Sequence, residues 1–377
     1  MRTLFLTLEM YRQTGGIQNV SQLLSQVLTE LSKEDPAKKS CSKTYSLYDK
    51  SYRMTSLYKY QLPYQKGFKG NIMAFLYNCI CAGYKSDVIL LNHINLLPVG
   101  ILLALFKPRL KIVILAHGIE IWRKIAFWKK VFLVKKATVW AVSTFTVNHI
   151  RKNIDERIQV QILNNALPVD FMVPCEFKKP AKLLKKHALQ KDQPILLSVC
   201  RMTRHEQDKG IGQVIKAIPA LLTSFPTLKY IVAGETDEQE KRRLMNLVKH
   251  YNIPQHVEFT GFISQKQLSN YYLLSDIFIM PSKKEGFGLA FIEAAACGLR
   301  IIAGNQDGSR DALLNGQLGT LVDPENVLGL QQAITQILGQ PWSKQQAASI
   351  QKICLQHFSH QAYKENVKKL LHRIFCN

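Results

Sequence analysis

Short runs of β-branched and leucine residues alternate with helical spacings along most of this chain. The first series of runs is Thr3–Leu8, Asp87–Leu91, Lys111–Ala116, Thr138–Val142 and Gln159–Leu163. A second series is Ile195–Val199, Lys229–Ala233, His256–Thr260, Asp276–Met280 and Arg300–Ala303. Between the first two runs, Ile17, Val20, Leu23, Leu24, Val27, Leu28 and Leu31 recur at spacings of three and four, the period of a helix with one apolar face. Strands that are apolar throughout, rather than at alternate positions, are buried on both faces. With helices between them they predict parallel sheets covered on both sides.

The two series are separated by Asn165-Ala-Leu-Pro-Val-Asp170 and a basic, proline-containing stretch to Lys191. That predicts a domain over 1–168, a linker over 169–191, a second domain over 192–355 and a terminal helix over 356–377. A length of 377 residues suits two domains of ordinary size. No apolar run reaches the roughly 18–20 residues of a membrane span; the longest, Ile94 to Phe106, contains Asn95 and Pro98. The N-terminus lacks a signal-peptide pattern and reads as a mature cytoplasmic start. The eight cysteines are scattered without a Cys-x-x-Cys pair, so the expectation is reduced thiols and no metal site.

Net charge is +23, and residues 1–175 hold 24 Lys and Arg against 10 Asp and Glu. Such a field implies an anionic partner: a phospholipid surface, a nucleic acid or a phosphorylated substrate. The stretch 121–136 reads as one amphipathic helix, with Ile121, Ile125, Trp128 and Phe132 on one stripe. Its cations include Lys129, Lys130, Lys135 and Lys136, so it either lies on an anionic membrane or turns its aromatic stripe into the core.

The densest candidate chemistry lies in Pro281-Ser-Lys-Lys-Glu285-Gly-Phe-Gly288-Leu-Ala-Phe-Ile-Glu293. An apolar strand precedes it, and a helix of small residues starts near Leu289 and ends near Gly298. Gly286 and Gly288 let the backbone turn tightly against a ligand. The helix start offers unpaired N–H groups to a phosphate. Glu285 and Glu293 would then contact groups on either side of a diphosphate: sugar hydroxyls for Glu285, ribose hydroxyls for Glu293. The alternative is a helix N-terminus with ordinary dipole-favoured acids. Arg201 and Lys209 follow the first strand of the second domain and could neutralise a departing diphosphate, or be solvated loop residues. Gly15-Gly16 permits close approach after the first strand, and His117 ends another strand of the first domain, facing a ligand or serving structure only.

Together, Glu285-x7-Glu293, Arg201…Lys209-Gly210, Ala233-Gly234, Gly261-Phe262, Gly15-Gly16, Ser143 and Asn165…Val169-Asp170 resemble the retaining glycosyltransferases of family 4. The resemblance runs through nearly the whole chain in order. It implies an α/β GT-B fold, two Rossmann-like domains facing each other across a cleft. It implies transfer of a hexose from a UDP- or GDP-linked sugar to a hydroxyl of a glycan or lipid-linked acceptor, with retention and without metal or other cofactor. Carried over, Arg201 and Lys209 hold the diphosphate, Glu293 the ribose, and Glu285 the donor sugar with backbone groups at Phe287 and Gly288. Leu289 opens the phosphate-facing helix, and Phe262 lies near the base. Gly16 approaches the diphosphate from the first domain, and His117 sits near the transferred sugar. Glu285, His117, Arg201 and Lys209 form the expected catalytic set. The loop 202–208, with Arg204 and His205, is longer than a minimal version, and Asp311 stands where many relatives carry Glu. Cell-surface polysaccharide or glycolipid synthesis, on the inner face of a membrane, fits the basic bias. Rival readings are a nucleotide-sugar hydrolase or epimerase on the same fold, and a basic nucleic-acid-binding protein. No RNA- or DNA-binding motif supports the last, so no nucleic-acid partner is expected.

Overall fold

A computed structural model describes residues 1–12, 15–34, 40–50, 65–204 and 206–376. Gln13, Thr14 and His205, which fall in loops singled out above, lie outside the described residues. The chain divides into two units, Met1–Val169 with His360–Asn377, and Asp170–Ser359.

The first unit is a seven-stranded parallel sheet in the order β3-β2-β1-β4-β5-β6-β7. Its strands are β1 (Arg2–Thr7), β2 (Cys41–Ser46), β3 (Gln65–Gly67), β4 (Val88–Leu91), β5 (Lys111–Ala116), β6 (Ala137–Ala141) and β7 (Gln159–Ile162). Its helices are α1 (Gly16–Lys33), α2 (Ile72–Tyr84), α3 (Leu97–Phe106), α4 (Ile119–Trp122), α5 (Phe127–Lys136) and α6 (Thr144–Asn153). One face packs Ile89, Leu91, Ile112 and Ile114 against Phe75, Leu103, Leu133 and Ile150. The other packs Phe5, Leu90, Val113 and Trp140 against Leu24 and Val27 of α1. With helices on both faces, every residue of β4 is buried, as a continuously apolar strand requires.

The second unit is a six-stranded parallel sheet in the order β10-β9-β8-β11-β12-β13. Its elements are α7 (Ala181–Lys186), β8 (Ile195–Val199), α8 (Ile211–Leu221), β9 (Lys229–Ala233), α9 (Glu238–His250), β10 (Val257–Gly261), α10 (Gln265–Leu274), β11 (Ile277–Met280), α11 (Leu289–Ala296), β12 (Arg300–Gly304), α12 (Ser309–Ala312), β13 (Thr320–Val322), α13 (Val327–Leu338) and α14 (Lys344–Phe358). The chain then forms α15 (His360–Cys376), which belongs to the first unit. There Tyr363, Val367, Leu370 and Leu371 join the core beneath α1, and His360 and Lys364 meet Glu30.

Three expectations need correction. Residues 170–191 are not a free linker but part of the second unit. Lys186 donates to the Tyr271 hydroxyl at 3.1 Å, His187 to Glu258 at 2.6 Å, and Lys179 to Asp276 at 2.8 Å. The stretch 121–136 is two helices, because the backbone at Arg123 is extended and ends α4. The terminal helix starts at His360 rather than 356, since Ser359 is extended and ends α14. Three strands were not read from the sequence. β2 buries only Thr44, Tyr45 and Ser46, while β3 and β13 are three-residue edge strands, too short for a periodic signal. Among the described residues no helix is long and apolar enough to cross a membrane.

Candidate functional site

In an open parallel sheet, loops diverge where the strand order reverses, and that point is where ligands bind. The second sheet reverses between β8 and β11. The loop after β8 brings Arg201 and Lys209; the loop after β11 brings Glu285 and Gly288. Lys209 ends a short 3-10 turn and donates to Glu285 in a tight ion pair. Burial by itself would lower the Lys209 ammonium, but the Glu285 carboxylate outweighs it and holds the ammonium well above its ordinary value. Lys209 is therefore charged at any physiological pH.

Two glycines make this approach feasible. Gly210 adopts φ +79°, and a Cβ there would stand 2.2 Å from the Pro281 carbonyl oxygen, so the two loops touch backbone to backbone. Gly288 adopts φ +91° immediately before α11, where a side chain would strike Phe291. An α-helix leaves the N–H groups of its first turn without intrahelical acceptors, and Leu289 starts such a turn. Arg201 is exposed and donates to Glu206 at 3.2 Å. Cys200, between these charges, is inert because burial pushes its thiol up to about 12.

The Glu285 loop is held from below by Asp307, which follows β12. Its buried carboxylate accepts from Ser282 Oγ at 2.7 Å, Glu285 N at 2.7 Å, Ser309 N at 2.9 Å and Ser309 Oγ at 2.6 Å. The Gly308 N–H returns a bond to the Glu285 carbonyl at 2.9 Å. The Phe287 side chain is buried and packs edge-on against Phe358 with ring centroids 5.6 Å apart, which leaves only its backbone for a ligand. Glu293, in the second turn of α11, is 4% exposed and accepts from the Tyr272 hydroxyl of α10 at 2.9 Å. Burial raises its carboxyl to about 7, with Asp170 adding to the shift and the Tyr272 hydrogen bond opposing it. Phe262 follows Gly261 at the end of β10 with its ring mostly exposed.

Gly16 and His117 belong to the first unit. Its sheet reverses between β1 and β4, and Gly16 is the first residue of α1 there. Gly15 is extended, and neither Gly15 nor Gly16 adopts the left-handed region. His117 ends β5. Its Nε2 lies 3.1 Å from the Asn92 carbonyl and 3.0 Å from the Asn92 side-chain oxygen. A carbonyl only accepts, so Nε2 carries the proton. Asn92 is itself oriented: its amide donates to Ser21 Oγ at 2.7 Å and Thr7 Oγ1 at 3.3 Å, and those hydroxyls donate to the Ile17 and Glu9 carbonyls. Burial lowers the His117 pKa, against the pull of Glu120, so the ring is neutral. Glu120 accepts from the His117 and Gly118 N–H groups. Asp49, buried after β2, accepts from the N–H groups of Met10, Tyr11 and Arg12 at 2.7–3.2 Å and so fixes the backbone of these three residues after β1.

The four lysines of the basic stretch lie on α5. Lys130 pairs with Asp155 at 3.1 Å, Lys129 lies over the Trp128 ring, and Lys135 and Lys136 are exposed. Among the described residues no group of three or more His, Cys, Asp or Glu side chains could hold a metal. Asp307, Asn92, Asp49 and Glu120 were missed as functional residues. Asp307, Asn92 and Asp49 act largely through groups distant in sequence, whereas Glu120 holds N–H groups two and three residues before it; only the strand-end position of Asn92 and Asp307 could have pointed to them.

Residues 181–354 match the family model described as Glycosyl transferases group 1. That segment holds Arg201, Lys209, Phe262, Glu285, Phe287, Gly288, Leu289 and Glu293. Over 168 residues the chain is 27% identical to a GDP-mannose-dependent alpha-(1-6)-phosphatidylinositol monomannoside mannosyltransferase of Mycolicibacterium smegmatis, covering 43% of this chain and 42% of that protein. Over 145 residues it is 31% identical to a glycogen synthase of Mycobacterium tuberculosis, covering 38% and 34%. The chain thus spans less than half the length of these curated relatives. Two solved structures align along the chain: sucrose-phosphate synthase from Thermosynechococcus elongatus, with TM-score 0.75, 21% identity and 100% of both chains covered, and Anabaena HepE in complex with UDP-glucose, with TM-score 0.74, 18% identity and 99% and 100% covered. The fold is that of the GT-B class, two parallel α/β sheets with helices on their faces.

Proposed function

We propose that the chain is a retaining glycosyltransferase that moves a hexose from a nucleoside-diphosphate sugar to a hydroxyl of a glycan or lipid-linked acceptor. The observation that carries this reading is the Lys209–Glu285 pair at the reversal point of the second sheet, beside the start of α11 and inside the segment that matches the group 1 family. A departing nucleoside diphosphate gains negative charge in the transition state. Lys209, Arg201 and the first turn of α11 supply fixed positive potential for it, which is the largest kind of catalytic term available without a covalent step. These cations do the work a metal would otherwise do, and turnover should survive a chelator. Glu285 exchanges its hold on Lys209 for sugar hydroxyls. Glu293 takes the ribose hydroxyls, and Phe262 lies beside the base. Gly16 approaches the diphosphate, and the neutral His117 ring serves the transferred sugar. The acceptor attacks on the face from which the diphosphate departs, and the leaving phosphate takes its proton.

The phosphatidylinositol acceptor in the mycobacterial relative's name and the UDP-glucose bound to HepE support a lipid-linked acceptor and a UDP- or GDP-linked donor. Work at the cytoplasmic face of a membrane, in polysaccharide or glycolipid synthesis, follows from that acceptor. A thermal-shift screen against UDP, GDP and ADP sugars identifies the donor, because a ligand that binds only the folded chain raises its melting temperature. The anomeric configuration of the product, read by NMR, then decides retention. Inversion would refute the mechanism. Donor consumption with no glycosylated product would instead favour a hydrolase.

A further inference from the structure

Helices α2 and α3 pack against one another and cover the same face of the first sheet. A surface helix ordinarily turns a charged face to water. These two do not. No charged residue occurs from Ile72 to Tyr84 or from Ile94 to Phe106. Their outward positions carry Ile72, Met73, Tyr77, Tyr84, Leu105 and Phe106, each 57–76% exposed. Six of the 17 large apolar side chains exposed among the described residues are therefore concentrated on 23 helical residues. Scattered singly they would need no explanation; gathered on neighbouring helices they mark a contact surface.

The charges around this face indicate what it contacts. Between Gln65 and Glu120 the chain has six Lys and Arg and one acid, Asp87, which is paired with Arg2. Lys69 and Lys85 flank α2 and Arg109 follows α3, and none of the three takes part in an ion pair among the described residues. Directly after Phe106 the chain enters a groove of about 290 Å³ at the N-terminal ends of β5, β6 and β7. Arg109, Lys111, Lys135, Lys136 and Arg373 line it, and no carboxylate does. An apolar face meeting a second protein chain has no need of this cationic border. An anionic bilayer uses both parts: acyl chains take the apolar side chains, Tyr77 and Tyr84 suit the headgroup boundary, and lipid phosphates take the cations.

We propose that the α2–α3 face docks the protein on an anionic phospholipid bilayer, with the adjoining groove of Arg109, Lys111, Lys135, Lys136 and Arg373 taking lipid phosphate. This moves the membrane contact away from α5 as a whole. Its lysines at 129 and 130 are engaged by Trp128 and Asp155, and only Lys135 and Lys136 reach the groove. The proposal deepens the reading of a membrane-bound acceptor. Vesicle binding needs neither donor nor turnover, so its failure would leave the transferase reading standing.

The test is co-sedimentation of the full chain with vesicles of phosphatidylcholine alone or with about a third phosphatidylglycerol. The chain should bind the anionic vesicles and not the neutral ones. The triple variant Met73→Ser, Tyr77→Ser, Phe106→Ser should lose roughly tenfold or more of that affinity with an unchanged melting temperature, since all three side chains are exposed. The double variant Arg109→Glu, Lys135→Glu should lose it too, and Lys129→Ser with Lys130→Ser should not. Equal binding by the triple variant, equal binding to neutral vesicles, or no binding at all would overturn the proposal. So would a wild-type dimer that the triple variant converts to monomer. Displacement by inorganic phosphate at matched ionic strength would assign the groove to free phosphate instead.

Discussion

Glu293→Gln is the most quantitative test of the site. The Glu293 carboxyl has a pKa of about 7, against an ordinary value of 4.5, because burial in α11 beneath Tyr272 disfavours its charge. A carboxyl that keeps its proton to higher pH in the folded than in the unfolded chain makes folding take up a proton between the two pKa values, and this costs stability at high pH. Stability is lost as pH rises from about 4.5 to about 7, and the loss is then constant. A gap of this size corresponds to roughly 3 kcal/mol at alkaline pH. Some of it is already present at pH 5, so the part that appears between about pH 5 and pH 8.5 is roughly 2–3 kcal/mol. Glutamine keeps the size and an acceptor for the Tyr272 hydroxyl but cannot ionise. Relative to wild type, the variant should therefore gain that amount across the interval, whatever the other titrating groups do. For a unit of about this size 1 kcal/mol moves the melting temperature by roughly 2–4 °C. Calorimetric or urea unfolding of both proteins at the two pH values measures it. A difference between variant and wild type that is the same at both pH values would refute the argument. If Glu293 also holds the donor ribose, the same variant should lose most of the thermal shift that donor produces.

Four other outcomes are expected. Lys209→Ala and Glu285→Ala should each lower turnover by roughly a hundredfold or more with folding intact, since each removes one half of the charge arrangement that meets the diphosphate; near-wild-type rates in either would remove that assignment. Asp307→Ala strands four donors around the Glu285 loop and should cost roughly 3 kcal/mol in urea unfolding, with Asp307→Asn milder in the same assay. Asn92→Ala removes one of the two acceptors of the His117 Nε2–H and leaves the main-chain carbonyl, so imidazole ¹⁵N shifts should still report the Nε2–H tautomer while kcat falls more than the donor KM rises. Gly210→Ala, which drives a Cβ into the Pro281 carbonyl, should weaken both stability and donor binding, measured by melting temperature with and without nucleotide.

Much of this protein was legible because its strands are buried on both faces. Val88–Leu91 and Ile277–Met280 can be nothing but interior strands, so their uninterrupted apolar runs stand out, and the helical spacing of Val20 to Leu31 is equally plain. Short edge strands such as Gln65–Gly67 have no such pattern, because an edge position is half solvated and needs few apolar residues. The break that separates α4 from α5 was also hidden: Arg123 and Lys124 suit a helix, and the need to bury Ile121 and Trp122 at one angle and Leu133 at another is set by the sheet beneath.

The candidate site divides in the same way. Glu285, Gly288, Glu293 and Lys209-Gly210 could be picked from sequence because tight turns and helix starts demand particular residues at close spacing. What they do to one another could not. Lys209 and Glu285 are 76 positions apart, and they meet because parallel strands β8 and β11 lie side by side at the point where the sheet reverses. The supports of the site, Asp307 under the Glu285 loop and Asn92 under His117, are ordinary polar residues until the fold surrounds them with donors. Local spacing dictates which backbone can turn and which face is apolar; only the packing of distant strands decides which charges are buried together, and burial is what gives those charges their strength.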